Sequence, residues 1–307
     1  MAFRAKRILV HIDTTSARRP ALTRAAQWAK KCGGTLRVVD VLVPLPTHSP
    51  AAERLEALAL AEMADRLAAA ATAATRLRVP VTTAVLVGDV ASALVAESVA
   101  WRADVLLRSH GIHGASPIPI GPEDGQLLRR CPCPVWLVTP RQATGEKVVV
   151  AAVDPDPADV ARHRLSVRVA RAAMAVAAET GAALHLVHVW SAYGHRLMAA
   201  HGSRADVNAY VVACRQSAEE RLASLRWDAR LPSSARVHLL EGVADDVLAT
   251  FVARRRASLV VMGTVARTGL AGLIVGNTAE RVLRQVRCSV LALKPAGFAD
   301  AMLEARR

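Results

Sequence analysis

The chain is one unit written twice, and that constrains its fold more than any other feature. Set "VGDVASALVAESVAWRADVLLRSH" (87–110) beside "EGVADDVLATFVARRRASLVVMGT" (241–264): Gly88 meets Gly242, Leu94 meets Leu248 and Ala103 meets Ala257, all at an offset of 154. Further on, "LLRRCPCPVWLVTP" (127–140) runs against "VLRQVRCSVLALKP" (282–295) at an offset of 155, matching Gly121 with Gly276, Cys133 with Cys288 and Pro140 with Pro295. One backbone must therefore be stable in two sequence versions. The boundary falls near "RQATGE" (141–146), giving units 1–142 and 143–307, each long enough to bury its own core.

Each copy alternates strand and helix signals. In the first, "RILVHID" precedes a helix from about 20 to 32, then come "TLRVVDVLV", an Ala-rich helix at 51–76, "VTTAVLV", a helix at 89–101, "DVLLRS", a helix at 124–130 and "PVWLVT". In the second, "KVVVAAVD", a helix near 160–180, "ALHLVHVW", a helix near 204–225, "RVHLLE", a helix at 243–255, "SLVVMG", a helix from 278 and "SVLALK" repeat the order. Short apolar strands alternating with helices predict an α/β fold: two tandem, doubly wound, parallel five-stranded sheets of Rossmann-like type. An apolar content of 52% with only 3% aromatics suits helices packed on buried parallel strands. In such sheets ligands sit beyond the carboxyl ends of the strands, at the switch point. In the second copy those ends are Asp154, His188 to Trp190, Glu241 to Gly242, and Met262 to Gly263.

Composition excludes several classes. Charged residues interrupt every apolar stretch well before the ~18 needed to span a bilayer, and "MAFRAKRILVHID" has neither the apolar run nor the cleavage site of a signal peptide. A cytoplasmic protein with no membrane partner is the expectation. The five cysteines, at 32, 131, 133, 214 and 288, make neither a CxxC metal pair nor a secreted disulfide pattern, and read as reduced thiols. The net charge of +14 suits weak, salt-sensitive contact with polyanions. Its arginines, however, are spread over both halves and cluster where helices should end, at Arg129 and Arg130, Arg254 to Arg256, and Arg284 and Arg287, where they complement the helix dipole. With few aromatics for base stacking, specific nucleic-acid binding is not expected.

In order along the second copy, "VDPD", "LVHVW", "EG" and "VVMGTVARTGLAGLIVGNTAERVLRQVRCSVLALKP" resemble the landmarks of the universal stress protein family, in particular its tandem, E-type members. "LLRRCPCPVWLV" makes the first copy resemble a tandem member's degenerate half, and the resemblance covers essentially the whole chain. It implies a fold shared with the adenine nucleotide alpha hydrolases, and two fused domains forming a pseudo-dimer through their last strands. "PVWLVT" and "SVLALK" should then lie together across the interface. Further pairing into a homodimer is undecided by any sequence feature.

Nucleotide-binding members of that family carry Gly, two residues, Gly, nine residues, Gly, then Ser or Thr. Here the pattern begins at Gly263 and ends at Gly276 with the right spacing, but Ala266 stands for the second glycine and Asn277 for the hydroxyl residue. Gly263 and Gly276 are expected to take positive φ and to let the backbone approach an anion, with successive amides forming a nest. Arg267 could add charge. Asn277 has two readings, a phosphate contact and an N-cap with Glu280 in a capping box, and they are compatible. Thr278 follows at the helix start. By the same carry-over Asp154 would touch a nucleotide's sugar or adenine, and Val153, Val189 and Met262 would flank the adenine. The ordinary alternatives are a turn cap for Asp154 and core packing for the apolar three. ATP or another adenine nucleotide, with Mg²⁺ as a companion, is the implied cofactor.

The first copy is read as having lost this site. Ser109 replaces Gly263, Pro122 replaces Asn277 and removes a donor, and Glu123 with Asp124 put two carboxylates at the helix start. Asp13 there reads as a turn cap. His185 and His188 lie three apart on a strand and face opposite ways, while His110, His113, His195 and His201 offer only a remote zinc reading. Cys133 recurs as Cys288, which argues for packing and leaves Cys131 as the one candidate reactive thiol, with no neighbouring base evident. No nucleophile elbow, Walker loop or Rossmann fingerprint occurs. The expected function is a non-catalytic stress-response protein binding a small phosphorylated ligand in its second half. The alternatives are a ligand-free scaffold acting through protein contacts and a slow ATPase.

Overall fold

A computed structural model describes residues 5–47, 49–110, 120–140, 147–194, 203–264 and 276–298. The first half runs β1 (Arg7–His11), α1 (Pro20–Cys32), β2 (Thr35–Leu42), α2 (Pro50–Thr75), β3 (Val81–Val87), α3 (Val90–Ala100), β4 (Val105–Ser109), α4 (Pro122–Arg130) and β5 (Val135–Val138). The second repeats it as β6 (Val148–Ala152), α5 (Val160–Thr180), β7 (Ala183–Trp190), α6 (Arg204–Ala229), β8 (Arg236–Glu241), α7 (Ala244–Arg254), β9 (Leu259–Gly263), α8 (Asn277–Gln285) and β10 (Ser289–Leu293).

Local chemistry sets the helix ends. Ser49, Asp89, Asp159 and Ser203 each accept a hydrogen bond from the amide three residues on, satisfying one orphan donor at the start of α2, α3, α5 and α6. The α4 helix starts earlier than the sequence suggests because Pro122, whose missing N–H costs nothing at a first turn, is its first residue. Left-handed backbone recurs in pairs: Gly33 with Gly181, Gly88 with Gly242, Arg78 with Arg230, and Arg102 with Arg256. The repeat is thus visible in backbone dihedrals even where side chains have diverged.

Within each half all strand pairings are parallel, in the order β3-β2-β1-β4-β5 and its mirror β10-β9-β6-β7-β8. The two five-stranded sheets do not stand apart. They merge into one ten-stranded sheet through a single antiparallel contact between β5 and β10, as the expected closeness of "PVWLVT" and "SVLALK" requires. Leu291 pairs with Trp136, Val290 with Leu137 and Ala292 with Val135. Trp136 and Leu291 are repeat mates, so a pseudo-twofold axis passes between them and the join is isologous in the manner of a symmetric dimer.

Both faces of the join are filled. On one, Trp136 meets Trp28 edge to face with ring centroids 5.7 Å apart, and the Arg24 guanidinium lies 4.9 Å from the Trp136 centroid. Arg24 reaches across to Glu179 of α5 at 3.1 Å, and Lys31 approaches the same carboxylate at 3.6 Å. On the other face Arg129 of α4 meets Glu280 of α8 at 3.3 Å, and the buried Lys294 ammonium donates to the Leu128 carbonyl. Two apolar clusters, one on each side of the sheet, run without interruption through both halves.

Trp136→Ala should therefore destabilise the whole chain by about 3–5 kcal/mol in urea titrations, as for any large aromatic removed from a core. Leu58→Ala, at an exposed position on α2, should stay within about 0.5 kcal/mol of the parent. Equal losses in the two variants would refute a shared core at the join.

Candidate functional site

The chain order reverses between β6 and β9, which makes the carboxyl ends of these strands the switch point of the second half. A cavity of about 1130 Å³ opens there, walled by α5, α6 and α8. Of the residues singled out from the sequence, Val153, Asp154, Val189, Met262, Gly263, Gly276 and Thr278 all line it. Val153 and Met262 are buried, Val189 is half-buried and Thr278 is exposed. Ala266 and Arg267 lie outside the described residues, as do His113, His195, His201 and the side chain of Asn277.

Three expectations about the glycine loop need correction. Neither Gly263 nor Gly276 has a positive φ, and Gly276 sits at φ −57°. Gly263 stands in close quarters instead: a Cβ there would come within 2.7 Å of Leu165 Cδ2, the end of a side chain that would have to shift. The N-cap of α8 is Gly276, with Asn277 the first helical residue, so Asn277 and Glu280 do not form a capping box. The Glu280 carboxylate turns to Arg284 at 2.8 Å and to Arg129. Finally, the Gly276 amide is not free for a ligand, because it donates to the Thr264 carbonyl at 3.1 Å and pins the two ends of segment 265–275 together. The amides that open α8, from Asn277 to Ala279, are the ones without helical acceptors.

Charge is arranged at the rim. Asp154 does not cap its turn; its carboxylate accepts from Arg162 Nε at 3.0 Å and from a second guanidinium nitrogen. Arg162 also donates to Asp156 at 3.1 Å, and Arg221 stands 3.9 Å from that carboxylate. Arg162, Arg221, Tyr193 and Tyr210 all line the cavity and escaped the sequence reading, since they come from helices and loops rather than strand ends. Their one signal is that Arg162 falls in the first turn of α5, within a helix of Asp154. His188 is buried, bonds the Val153 carbonyl through Nδ1 at 3.1 Å, and has its pKa lowered mainly by burial, against the pull of Asp154.

The first half shows how the same hollow is filled. At the positions of Ala152, Met262, Thr264, Thr278 and Ala279 it carries His11, Arg108, His110, Glu123 and Asp124. Arg108 ion-pairs with Glu123 and reaches Asp124 at 3.1 Å, both in the first turn of α4. His110 Nδ1 bonds Asp124 at 2.7 Å, and His11 lies 3.7 Å from Asp40. Ser109, in place of Gly263, uses its hydroxyl to accept the Ala21 amide of α1 at 3.2 Å. Asp13 accepts from both the amide and the hydroxyl of Thr15, the turn-cap reading.

Among the described residues no grouping of three or more His, Cys, Asp or Glu could hold a metal, and no helix is long and apolar enough to cross a membrane. His185 and His188 do face apart: His185 stacks on His238 of β8, with Nδ1 and Nε2 3.0 Å apart and Phe251 at the edge of both rings.

The model of the universal stress protein family matches residues 4–139 and 144–294. The chain is 27% identical over 225 residues to universal stress protein E of Photorhabdus laumondii, covering 67% of this chain and 66% of that protein. It is 26% identical over 205 residues to universal stress protein E of Escherichia coli K12, covering 66% and 64% respectively. The matches thus span just under two thirds of those relatives' own lengths. In fold it resembles a Pseudomonas aeruginosa UCBPP-PA14 protein described as a universal stress protein, with a TM-score of 0.74, 24% identity and 99% of each chain covered.

Two predictions follow from this geometry. Gly263→Val should destabilise the chain more than Gly263→Ala in thermal melts, and Leu165→Ala should restore much of the loss in the double variant, because the glycine serves that one contact. Burial holds His11 neutral down to about 3 and His185 down to about 4, whereas unfolded imidazole takes its proton near 6.5. The unfolded chain therefore binds protons that the folded chain refuses, so stability is full above pH 6.5 and falls as pH drops towards 4. Melting temperatures between pH 7.5 and 4.5 should decline in that sense, and less steeply in His185→Phe.

Proposed function

The chain belongs to the universal stress protein family, and we propose that its second half binds an adenine nucleotide or another small phosphorylated ligand without turning it over. The first half is then the fused partner fold whose own hollow is filled. One observation carries this reading: Arg108, His110, Glu123 and Asp124 interlock where the second half places Met262, Thr264, Thr278 and Ala279 and keeps an open cavity.

The opening turn of α8 supports a phosphate, since its first amides, which have no helical acceptor, and the positive end of the helix dipole favour an anion. Val153, Val189 and Met262 offer an apolar slot at the strand ends for a flat base, the placement implied by the sequence resemblance. Arg162 and Arg221 at the rim offset the two aspartates that would otherwise repel a phosphate. Mg²⁺ would arrive with the phosphates of a triphosphate, because Asp154 and Asp156 are already engaged by guanidinium groups. The same engagement leaves Asp154 and Asp156 poorly placed to activate water, which supports binding over hydrolysis.

The test transfers the first half's filling into the second. At 100 times its dissociation constant, ATP should raise the stability of the parent chain by about 2.7 kcal/mol in thermal-shift titrations. Met262→Arg with Ala279→Asp should stay folded and lose that shift. If neither added ATP nor AMP moves the melting temperature and no phosphorylated compound is carried through purification, the ligand-free scaffold is the correct reading. Phosphate release that vanishes in Gly276→Val would instead establish an ATPase.

A further inference from the structure

We propose that Cys131 and Cys133 are a modification site, a dithiol at the junction of the two halves that hydrogen peroxide closes into an intrachain disulfide. The two Sγ atoms lie 3.5 Å apart, within the short Cys-Pro-Cys-Pro connection between α4 and β5. Pro132 and Pro134 fix φ at alternate positions and restrict how far the thiols can separate.

The repeat supplies an internal comparison. Cys133 has a mate in Cys288, so a small buried residue at the start of the last strand is explained by packing alone. Cys131 has no such explanation: its mate is Val286, and the second half therefore carries one thiol where the first carries two. The solitary Cys288 has its pKa pushed up to about 12 by burial. Cys131 is shifted the other way, chiefly because Cys133 donates a hydrogen bond to its thiolate, with Ser98 and the charge of Lys294 adding to the effect. Lys294 is a cation that no local feature around Cys131 announces. It comes from the end of β10, is 3% exposed, and places its ammonium on the Leu128 and Arg129 carbonyls at the end of α4. There it offsets the negative pole of the helix, which would otherwise disfavour a thiolate at Cys131.

The step balances without any further reactant. Both residues are buried, Cys131 completely and Cys133 at 7% exposure, so the oxidant must be as small and uncharged as hydrogen peroxide. The Cys131 thiolate, held by the Cys133 hydrogen bond that raises the pKa of Cys133 itself, attacks one peroxide oxygen; the O–O bond breaks and hydroxide leaves, forming the sulfenic acid on Cys131. The Cys133 sulfur then attacks the Cys131 sulfur, the S–O bond breaks, and the departing hydroxide takes the Cys133 proton. Two thiols and one peroxide yield one disulfide and two waters.

The full chain, treated with hydrogen peroxide while folded, quenched with catalase and alkylated in denaturant, should give a tryptic peptide 131–141 about 2 Da lighter than its dithiol form and unalkylated. Dithiothreitol should restore both thiols, and the pair should be lost at least about tenfold faster than Cys288. Cys133→Ser should halt at the sulfenic acid on Cys131, trapped by dimedone. Lys294→Met should slow closure about threefold or more; should that variant fail to fold, the parent's closure rate must rise with pH through the neutral range. Full alkylation of both cysteines after treatment, overoxidised adducts without the lighter peptide, or bridges only between chains would overturn the proposal.

Discussion

Everything in this molecule depends on the antiparallel contact of β5 with β10. Each is the terminal strand of a five-stranded sheet, and each is buried along its whole length. Left alone, either edge would present unpaired amides and carbonyls beside a row of apolar side chains, an invitation to promiscuous pairing. An isologous join resolves this by asking the same shape of both partners. Fusing the partners makes the contact intramolecular, so its formation no longer depends on concentration, and the two sides are free to differ. They do differ at the axis itself, where Trp136 faces Leu291. The larger ring is accommodated because Trp28 and Arg24 of the first half close over it and Glu179 of the second half completes the ion pair.

That freedom has a second consequence at the switch points. A half that needs only to support its neighbour can give up an open hollow, which costs packing contacts, for a filled one. The filling in the first half is polar, and buried charges are tolerable only when paired. Arg108 answers Glu123 and Asp124, those carboxylates lie at the positive end of α4, and His110 bonds Asp124. The group is interdependent. Asp124 answers to both Arg108 and His110, whereas the second half keeps only the small Ala152, Gly263 and Ala279 at its strand ends and helix start.

Fold and order were legible because they rest on short periods and on the repeat, both local properties of the sequence. Element bounds from α1 to β10 fall within a few residues of those expected. Partners were less legible, since they are set by contacts between distant residues. Nothing local to Cys131 announces Lys294, 163 positions later, and nothing in β7 announces that His185 will stack on His238. The seven described site positions did converge on one cavity, because strand ends in a parallel sheet share one rim. The arginines of that rim did not show themselves, since a helix arginine reads equally well as a solvated one.

The glycine pattern illustrates the limit of motif reading. Gly263 looks like a residue kept for a ligand, yet a Cβ there would press on the side chain of Leu165, while Ser109 fills the same place in the first half by serving the start of α1. A retained glycine is therefore compatible with either an open or a filled site. The residue that separates the two cases stands one position earlier, where Met262 leaves the helix terminus accessible and Arg108 crosses to it. Side-chain length and charge at that strand end, together with the first turn of the following helix, decide whether an anion meets free amides or finds carboxylates already there.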